Sequence, residues 1–188
     1  AKADPRNIQC QAAMADNHMV LGSIDQNQGD LASARSNHAE ALELRRLVAE
    51  SSPEHAQAQM FLSQSYAGNG DLALAEGDLK SARRNYEKAL EVATRAAGLD
   101  PDGVESTCTL GRSHSGLGAV AQAEGDIPGA RAAYGKALEV IKRVAEGAPK
   151  SPRVQILLAA AYEPLGAFAL KEGDIRAARV IFDQMLQV

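Results

Sequence analysis

One dipeptide recurs at a fixed distance along the chain. Gly29-Asp30, Gly77-Asp78, Gly125-Asp126 and Gly173-Asp174 each stand 48 residues from the last. Around it the copies align without a gap over Asn27–Leu42, Ala75–Leu90, Ala123–Leu138 and Lys171–Leu186. Self-similarity at a fixed period restricts the fold to repeat architectures, in which each unit buries its apolar side against a neighbour. The length of 188 residues alone would suggest one ordinary globular domain, and the period overrides that reading.

A second marker runs with the same period. Pro5, Pro53, Pro101 and Pro149 are followed two residues later by Asn7, His55, Gly103 and Ser151, most of them types that cap helix N-termini. These signals start a first helix near residues 8, 56, 104 and 152, with Pro152 tolerated at the first helical position. The glycine of each Gly-Asp pair ends that helix after a run about 31 Å long, and the aspartate caps a second. Second helices are expected at about 31–49, 79–97, 127–146 and from 175 onward. Their inner stripe is Ala34/His38/Ala41/Leu42, Ala82/Tyr86/Ala89/Leu90, Ala130/Tyr134/Ala137/Leu138 and Ala178/Phe182/Met185/Leu186, at helical spacing. The expected fold class is therefore all-α, about eight antiparallel helices in four helix-turn-helix repeats. The repeats cover roughly 4–51, 52–99, 100–147 and a truncated 148–188 of a single repeat domain, 1–188, with no linker between them.

Composition agrees. Only 4% of residues are aromatic and tryptophan is absent, so helices must pack closely through small side chains. A hydrophobic fraction of 45% with 23% charged residues fits a folded chain rather than a disordered one. The net charge of −4 and the lack of any Lys/Arg run longer than two residues, as in Arg45-Arg46 and Arg83-Arg84, argue against nucleic acid as a partner. No apolar run approaches the roughly 20 residues that span a bilayer, so membrane insertion is not expected, and a cytoplasmic location is the working expectation. Ala1–Pro5 matches the stretch at 97–101, and the chain begins without Met, as a fragment of a longer array would. Cys10 and Cys108 stand at non-equivalent positions and are read as reduced packing residues.

These residues resemble the tetratricopeptide repeat, a helix-turn-helix unit usually 34 residues long. Tyr66 falls on the family's first aromatic position and Gly70 on the small residue of its first helix. Gly22, Gly118 and Gly166 repeat that glycine, and Ala82, Tyr86 and Ala89 match the small/aromatic/small run of the second helix. The period of 48 departs from the family by fourteen residues, read as added turns on both helices of the hairpin. The pattern is similar to long arrays found in large bacterial multidomain proteins. The resemblance implies an α-α superhelix whose first helices line a concave groove for a peptide or partner helix.

The groove lining carried over from the family includes Asp16, Gln64, Gly68, Asp71, Arg112, Gly116, Gln122, Glu163 and Lys171. Gly68 and Gly116 are candidates for a smooth floor that admits a partner's backbone, against ordinary drift at exposed helix sites. Pro164, in the same slot, is expected to kink or open its helix. The family's carboxylate-gripping Lys/Asn clamp is not recognisable. The final helix, with Ile181, Phe182, Met185 and Leu186, is apolar over a broad face and is a candidate for self-association into a homo-oligomer.

Catalysis and cofactors are not expected. His18 and His114 occupy the slot of Tyr66 and Tyr162, and His38 that of Tyr86, so all three read as packing substitutes. His55 falls at a helix start. No nucleophile-base pair or metal set clusters. The Gly-Asp pairs lack the glycine run and Lys-Ser/Thr of a phosphate loop, and their carboxylates would repel an anion. The leading expectation is a protein-protein interaction scaffold that binds a protein or peptide. A self-assembling structural element and a regulatory arm of a larger signalling enzyme are the alternatives.

Overall fold

Each Gly-Asp pair forms the same turn. Gly29, Gly77, Gly125 and Gly173 have φ of 81, 78, 81 and 78°, a left-handed conformation that a Cβ would strain. At the second turn Gly77 N donates to Leu74 O at 3.1 Å and Asp78 N to Ala73 O at 2.9 Å. This is the paired closure that satisfies the last carbonyls of a helix. The Asp78 carboxylate then accepts from Ser81 N at 3.0 Å and opens the next helix. Asp30, Asp126 and Asp174 do the same with Ser33, Gly129 and Ala177. One aspartate thus finishes one helix with its N–H and starts another with its side chain. Hydrogen bonds from Ser33 and Ser81 hold the Asp30 and Asp78 carboxyls below their ordinary range.

The structure, a computed structural model, describes residues 5–147, 149 and 151–186, without the side chains of Pro5, Arg6 and Arg153. It is all-α, with eight helices in four hairpins: α1 (Pro5–Gln28), α2 (Leu31–Ser51), α3 (Ala56–Ala75), α4 (Leu79–Leu99), α5 (Val104–Glu124), α6 (Ile127–Gly147), α7 (Pro152–Lys171) and α8 (Ile175–Leu186). The second helices run about two residues beyond the expected ends. α1 starts at Pro5 rather than near residue 8, which places Asn7 inside the helix and removes it as a cap. His55 does cap α3, its Nδ1 accepting from Ala58 N at 3.3 Å, whereas Ser151 makes no side-chain cap bond to α7. α7 passes through Pro164 as one unbroken helix, so the expected opening there is not seen.

Close contacts between the chain's Cα atoms divide it into two compact units, Ala1–Thr109 and Leu110–Val188. Inside each hairpin the ring of the second helix lies over a glycine of the first. A Cβ on Gly22 would stand 3.1 Å from the His38 ring, and one on Gly70 3.0 Å from Tyr86. In the second unit the same construction pairs Gly118 with Tyr134 and Gly166 with Phe182, at 2.9 and 2.6 Å. The flanking alanines Ala34, Ala41, Ala82, Ala89, Ala130, Ala137 and Ala178 are buried, which lets the backbones approach. In the first unit, Leu42 and Val48 of α2 pack on a cluster of Ala49, Ala58 and Leu62, carrying contact from one repeat to the next. In the second, Tyr134 and Phe168 bring their ring centroids to 5.7 Å within a cluster that includes Ala121 and Ala130.

Glutamine closes the junction between repeats, a role the sequence did not announce. Buried Gln59 donates from Nε2 to Ala49 O at 3.3 Å and Pro53 O at 3.2 Å. Gln155 donates in the same way to Pro149 O at 3.1 Å. Pro53 and Pro149 therefore serve as carbonyl acceptors as well as helix breakers.

Candidate functional site

In the first unit the predicted groove residues do not form an open floor. Gly68 is buried, with Met19 Cε 3.1 Å and the His38 ring 3.5 Å from where its Cβ would be. Side chains of the chain itself fill the space that a partner's backbone was expected to enter. Gly116, in the second unit, is buried as well. Asp71 is half-buried and accepts from the Tyr86 hydroxyl, which ties it to its own hairpin. Gln64 is half-buried, and Asp16 is exposed.

Asp16 is engaged from below. Arg45 Nη2 donates to Asp16 Oδ1 at 2.8 Å, and Arg45 Nη1 donates to Phe61 O at 2.9 Å and Ser65 Oγ at 3.3 Å. The guanidinium carbon lies 5.1 Å from the Phe61 ring centroid. Arg45 stands where the later repeats have Ala93 and Ile141, and that break in the pattern is the signal by which it was findable. Beside it, His18 Nδ1 donates to Asn37 Oδ1 at 2.9 Å and Asn37 Nδ2 donates to Asp25 Oδ2 at 2.8 Å. His38 is buried with neither ring nitrogen hydrogen-bonded. Burial pulls its pKa below the ordinary histidine value, against the opposing charges of Asp71 and Asp25.

The first unit also holds a recess between α2 and α4, floored by α3. Ala49, Gln59, Leu62, Tyr66 and Val92 line a cleft of about 510 Å³. Its rim carries both signs of charge: Arg46, Glu50, Lys88, Glu91 and Arg95. Arg46 pairs with Glu43 at 2.7 Å and Glu50 at 2.5 Å, and Lys88 with Glu91 at 3.0 Å. These bonds raise the pKa of Arg46 and of Lys88. The two second helices stand apart because the first helix of the later repeat wedges between them. No single residue marks this cleft in the sequence, because it arises from the spacing between α2 and α4.

In the second unit Arg112, Gln122, Glu163 and Lys171 are exposed. Gln122 Oε1 accepts from the Tyr134 hydroxyl at 3.1 Å, and burial raises the Tyr134 pKa. Half-buried His114 is shifted down, by burial first and then by the Lys136 charge. Of the terminal apolar residues, Phe182 is committed to Gly166 of its own hairpin. Ile181 and Met185 are half-buried and Leu186 is exposed.

Cys108 is buried as expected, but Cys10 is exposed and is not a packing residue. Among the described residues no group of three or more His, Cys, Asp and Glu could hold a metal ion. No helix among them is long and apolar enough to cross a membrane.

No protein family model matches the chain, and no curated protein matches it. Among solved structures, it is similar to the DHF46 filament, with a TM-score of 0.44, 19% identity, and 95% of this chain and 96% of that one covered. It is also similar to the crystal structure of BtubC (BKLC) from P. vanneervenii, with a TM-score of 0.43, 20% identity, and 94% and 80% covered. Superposition at that level bears on neither family nor function.

Proposed function

We propose that this chain is a protein-interaction module of tetratricopeptide-like, long-repeat design, and that it performs no catalysis of its own. The observation that carries the reading is the cleft between α2 and α4. It joins an apolar floor of Leu62, Tyr66 and Val92 to a rim of paired charges. Apolar centres with polar rims are the usual anatomy of protein recognition surfaces, and a volume of this size suits a side chain or two of a bound peptide. Rim pairs such as Lys88–Glu91 exchange partners at little cost, because exposed ion pairs contribute only about 0–1 kcal/mol.

A second surface is favoured by the exposure of Arg112, Gln122, Glu163 and Lys171 on first helices of the second unit. That is the groove the family resemblance implies. The two surfaces are separable by experiment. Peptides selected from a random display library against the 188-residue protein should bind with affinity in the micromolar range or tighter. Val92→Glu should abolish binding through the cleft, and Arg112→Glu with Lys171→Glu should abolish binding through the groove, helicity being unchanged by circular dichroism. Recovery of no peptide binder, or binders indifferent to both sets of changes, would refute the reading.

A further inference from the structure

The residues that build the α2 and α3 side of the cleft recur two periods later. Arg46, Glu50, Gln59, Leu62 and Tyr66 stand where the second unit has Lys142, Glu146, Gln155, Leu158 and Tyr162. The repeat between them has Thr94, Gly98, Thr107 and His114 at four of those places and still forms its helices, so the hairpin does not require the set. In the second unit α6 and α7 carry these residues as α2 and α3 do in the first. Gln155 donates to Pro149 O at 3.1 Å as Gln59 does to Pro53 O at 3.2 Å, which holds the two junctions alike. Leu158 is half-buried, and Lys142 and Glu146 are exposed.

The tyrosines mark what these places offer a ligand. Tyr86 and Tyr134, inside their hairpins, give their hydroxyls to Asp71 and Gln122. Tyr66 and Tyr162 have no such acceptor among the described residues, although Tyr162 is only 6% exposed. A phenol so enclosed and unbonded keeps a donor for something outside the chain. Lys142 Nζ stands 5.1 Å from the Tyr162 ring centroid, and among the described residues it has no carboxylate within ion-pair distance. Glu139, the equivalent of the Glu43 that holds Arg46, turns instead to Arg143 at 3.5 Å. An unmatched cation beside a phenol hydrogen suits an anionic acceptor, and Leu158 suits an apolar side chain. Leu158 and Tyr162 are one turn apart, about 6 Å along α7. Alternate side chains of an extended peptide repeat at nearly that distance, about 6.6–6.8 Å.

We propose, resting on the reading of the α2–α4 cleft as a recognition surface, that the second unit holds a second site of the same design, centred on Leu158, Tyr162 and Lys142. Both sites take an extended peptide with an aliphatic side chain and, two residues away, an aspartate or glutamate. The aliphatic side chain rests on Leu158 or Leu62, and the carboxylate accepts from the tyrosine hydroxyl and the neighbouring cation. Glu146, one turn beyond Lys142, repels a carboxylate and so sets the end of the site at which it lies. In the first unit Arg46, Lys88 and Arg95 are each held by carboxylates, Glu43 and Glu50, Glu91, and Glu54. The second-unit site is therefore the tighter, because Lys142 has no such partner to give up.

The test begins with display libraries that fix a Leu-x-Glu, Leu-x-Gln or Leu-x-Lys core between random flanks, selected on the 188-residue protein. Recovered sequences are then made as peptides with capped ends and titrated by calorimetry. Binders should come from the Leu-x-Glu pool, fill two sites per chain, and lose affinity about tenfold when that Glu is changed to Gln. Lys142→Glu should remove the tighter site alone, and Val92→Glu the weaker one alone. Tyr162→Phe should weaken the tighter site several-fold and leave the melting temperature in place, which a packing role for the hydroxyl would not. One site per chain, lost in Val92→Glu and indifferent to Lys142→Glu and Tyr162→Phe, overturns the second site while the cleft reading stands. Binders drawn equally from the three pools overturn the acidic class. Recovery of no binder from any pool overturns the second site and the cleft reading together.

Discussion

Arg45 Nη2 and Asp16 Oδ1 lie 2.8 Å apart, joining a side chain 9% exposed to one 56% exposed. The buried end makes the pair a constraint on the first repeat, because Arg45 Nε already lacks a hydrogen-bond partner. Removing the carboxylate strands more of a charge that the fold has enclosed. Asp16→Ala should destabilise the first repeat by about 1–2 kcal/mol, the water at Asp16 softening the full cost of breaking a buried pair. Arg45→Ile with Asp16→Gln, which installs side chains found at equivalent places in later repeats, should recover most of that loss. Urea titrations of Asp16→Ala and of the double variant, against the unaltered protein, measure it.

The glycines divide into two kinds with opposite predictions. Gly70→Ala pushes a Cβ to 3.0 Å from the Tyr86 ring and should cost about 1–3 kcal/mol by overpacking. Gly98 and Gly135 lie inside α4 and α6 with nothing within 4 Å of a Cβ. Alanine at either should stabilise by about 0.4–1 kcal/mol, since it removes freedom from the unfolded chain. Thermal melts of the three variants should therefore shift in different directions.

Acid should weaken the first repeat through His38. Its folded-state pKa is lowered, so below the ordinary value of 6.5 the unfolded chain binds a proton that the folded one resists. Stability contributed by the neutral ring is complete above pH 6.5. It is lost as pH falls from there toward the folded pKa, with Asp71 and Asp25 limiting the loss. His38→Phe, which places the fourth repeat's ring in this slot, should flatten that part of the stability-pH curve. His114 is shifted in the same direction, so a smaller slope should persist until it too is replaced.

Each hairpin turn depends on both of its residues for separate reasons. Gly77→Ala should cost about 1–2 kcal/mol by forcing a Cβ into left-handed backbone. Asp78→Ala should cost about 1 kcal/mol by removing the acceptor for Ser81 N, and Asp78→Asn should be nearly neutral. Chemical denaturation of these variants separates the strain from the lost cap.

The turns and the helix order were legible because each rests on local chemistry repeated four times. Gly77 needs positive φ, Asp78 needs to cap, and Gly70 needs to be small, all visible in single residues. The site was less legible because it depends on which side of a helix a neighbour covers. Gly68 sits on the first helix in a slot the resemblance assigned to the groove, yet Met19 and His38 cover it. Gln11, Gln59 and Gln155 recur at the period while Thr107 interrupts them, so the grip of Gln59 and Gln155 on proline carbonyls had no unbroken pattern to betray it. The α2–α4 cleft arises from spacing between helices, which no single residue encodes.

Asp78 closes α3 through its amide and opens α4 through its carboxylate, and three other aspartates do likewise. The junction of each hairpin is thus self-contained, drawing on nothing outside a handful of neighbouring peptides. A chain with such joints tolerates recombination at them: exchanging or duplicating a block of 48 residues between equivalent turns leaves every local bond in kind. New surfaces are then reached by shuffling whole units, with no need to redesign how one helix hands over to the next.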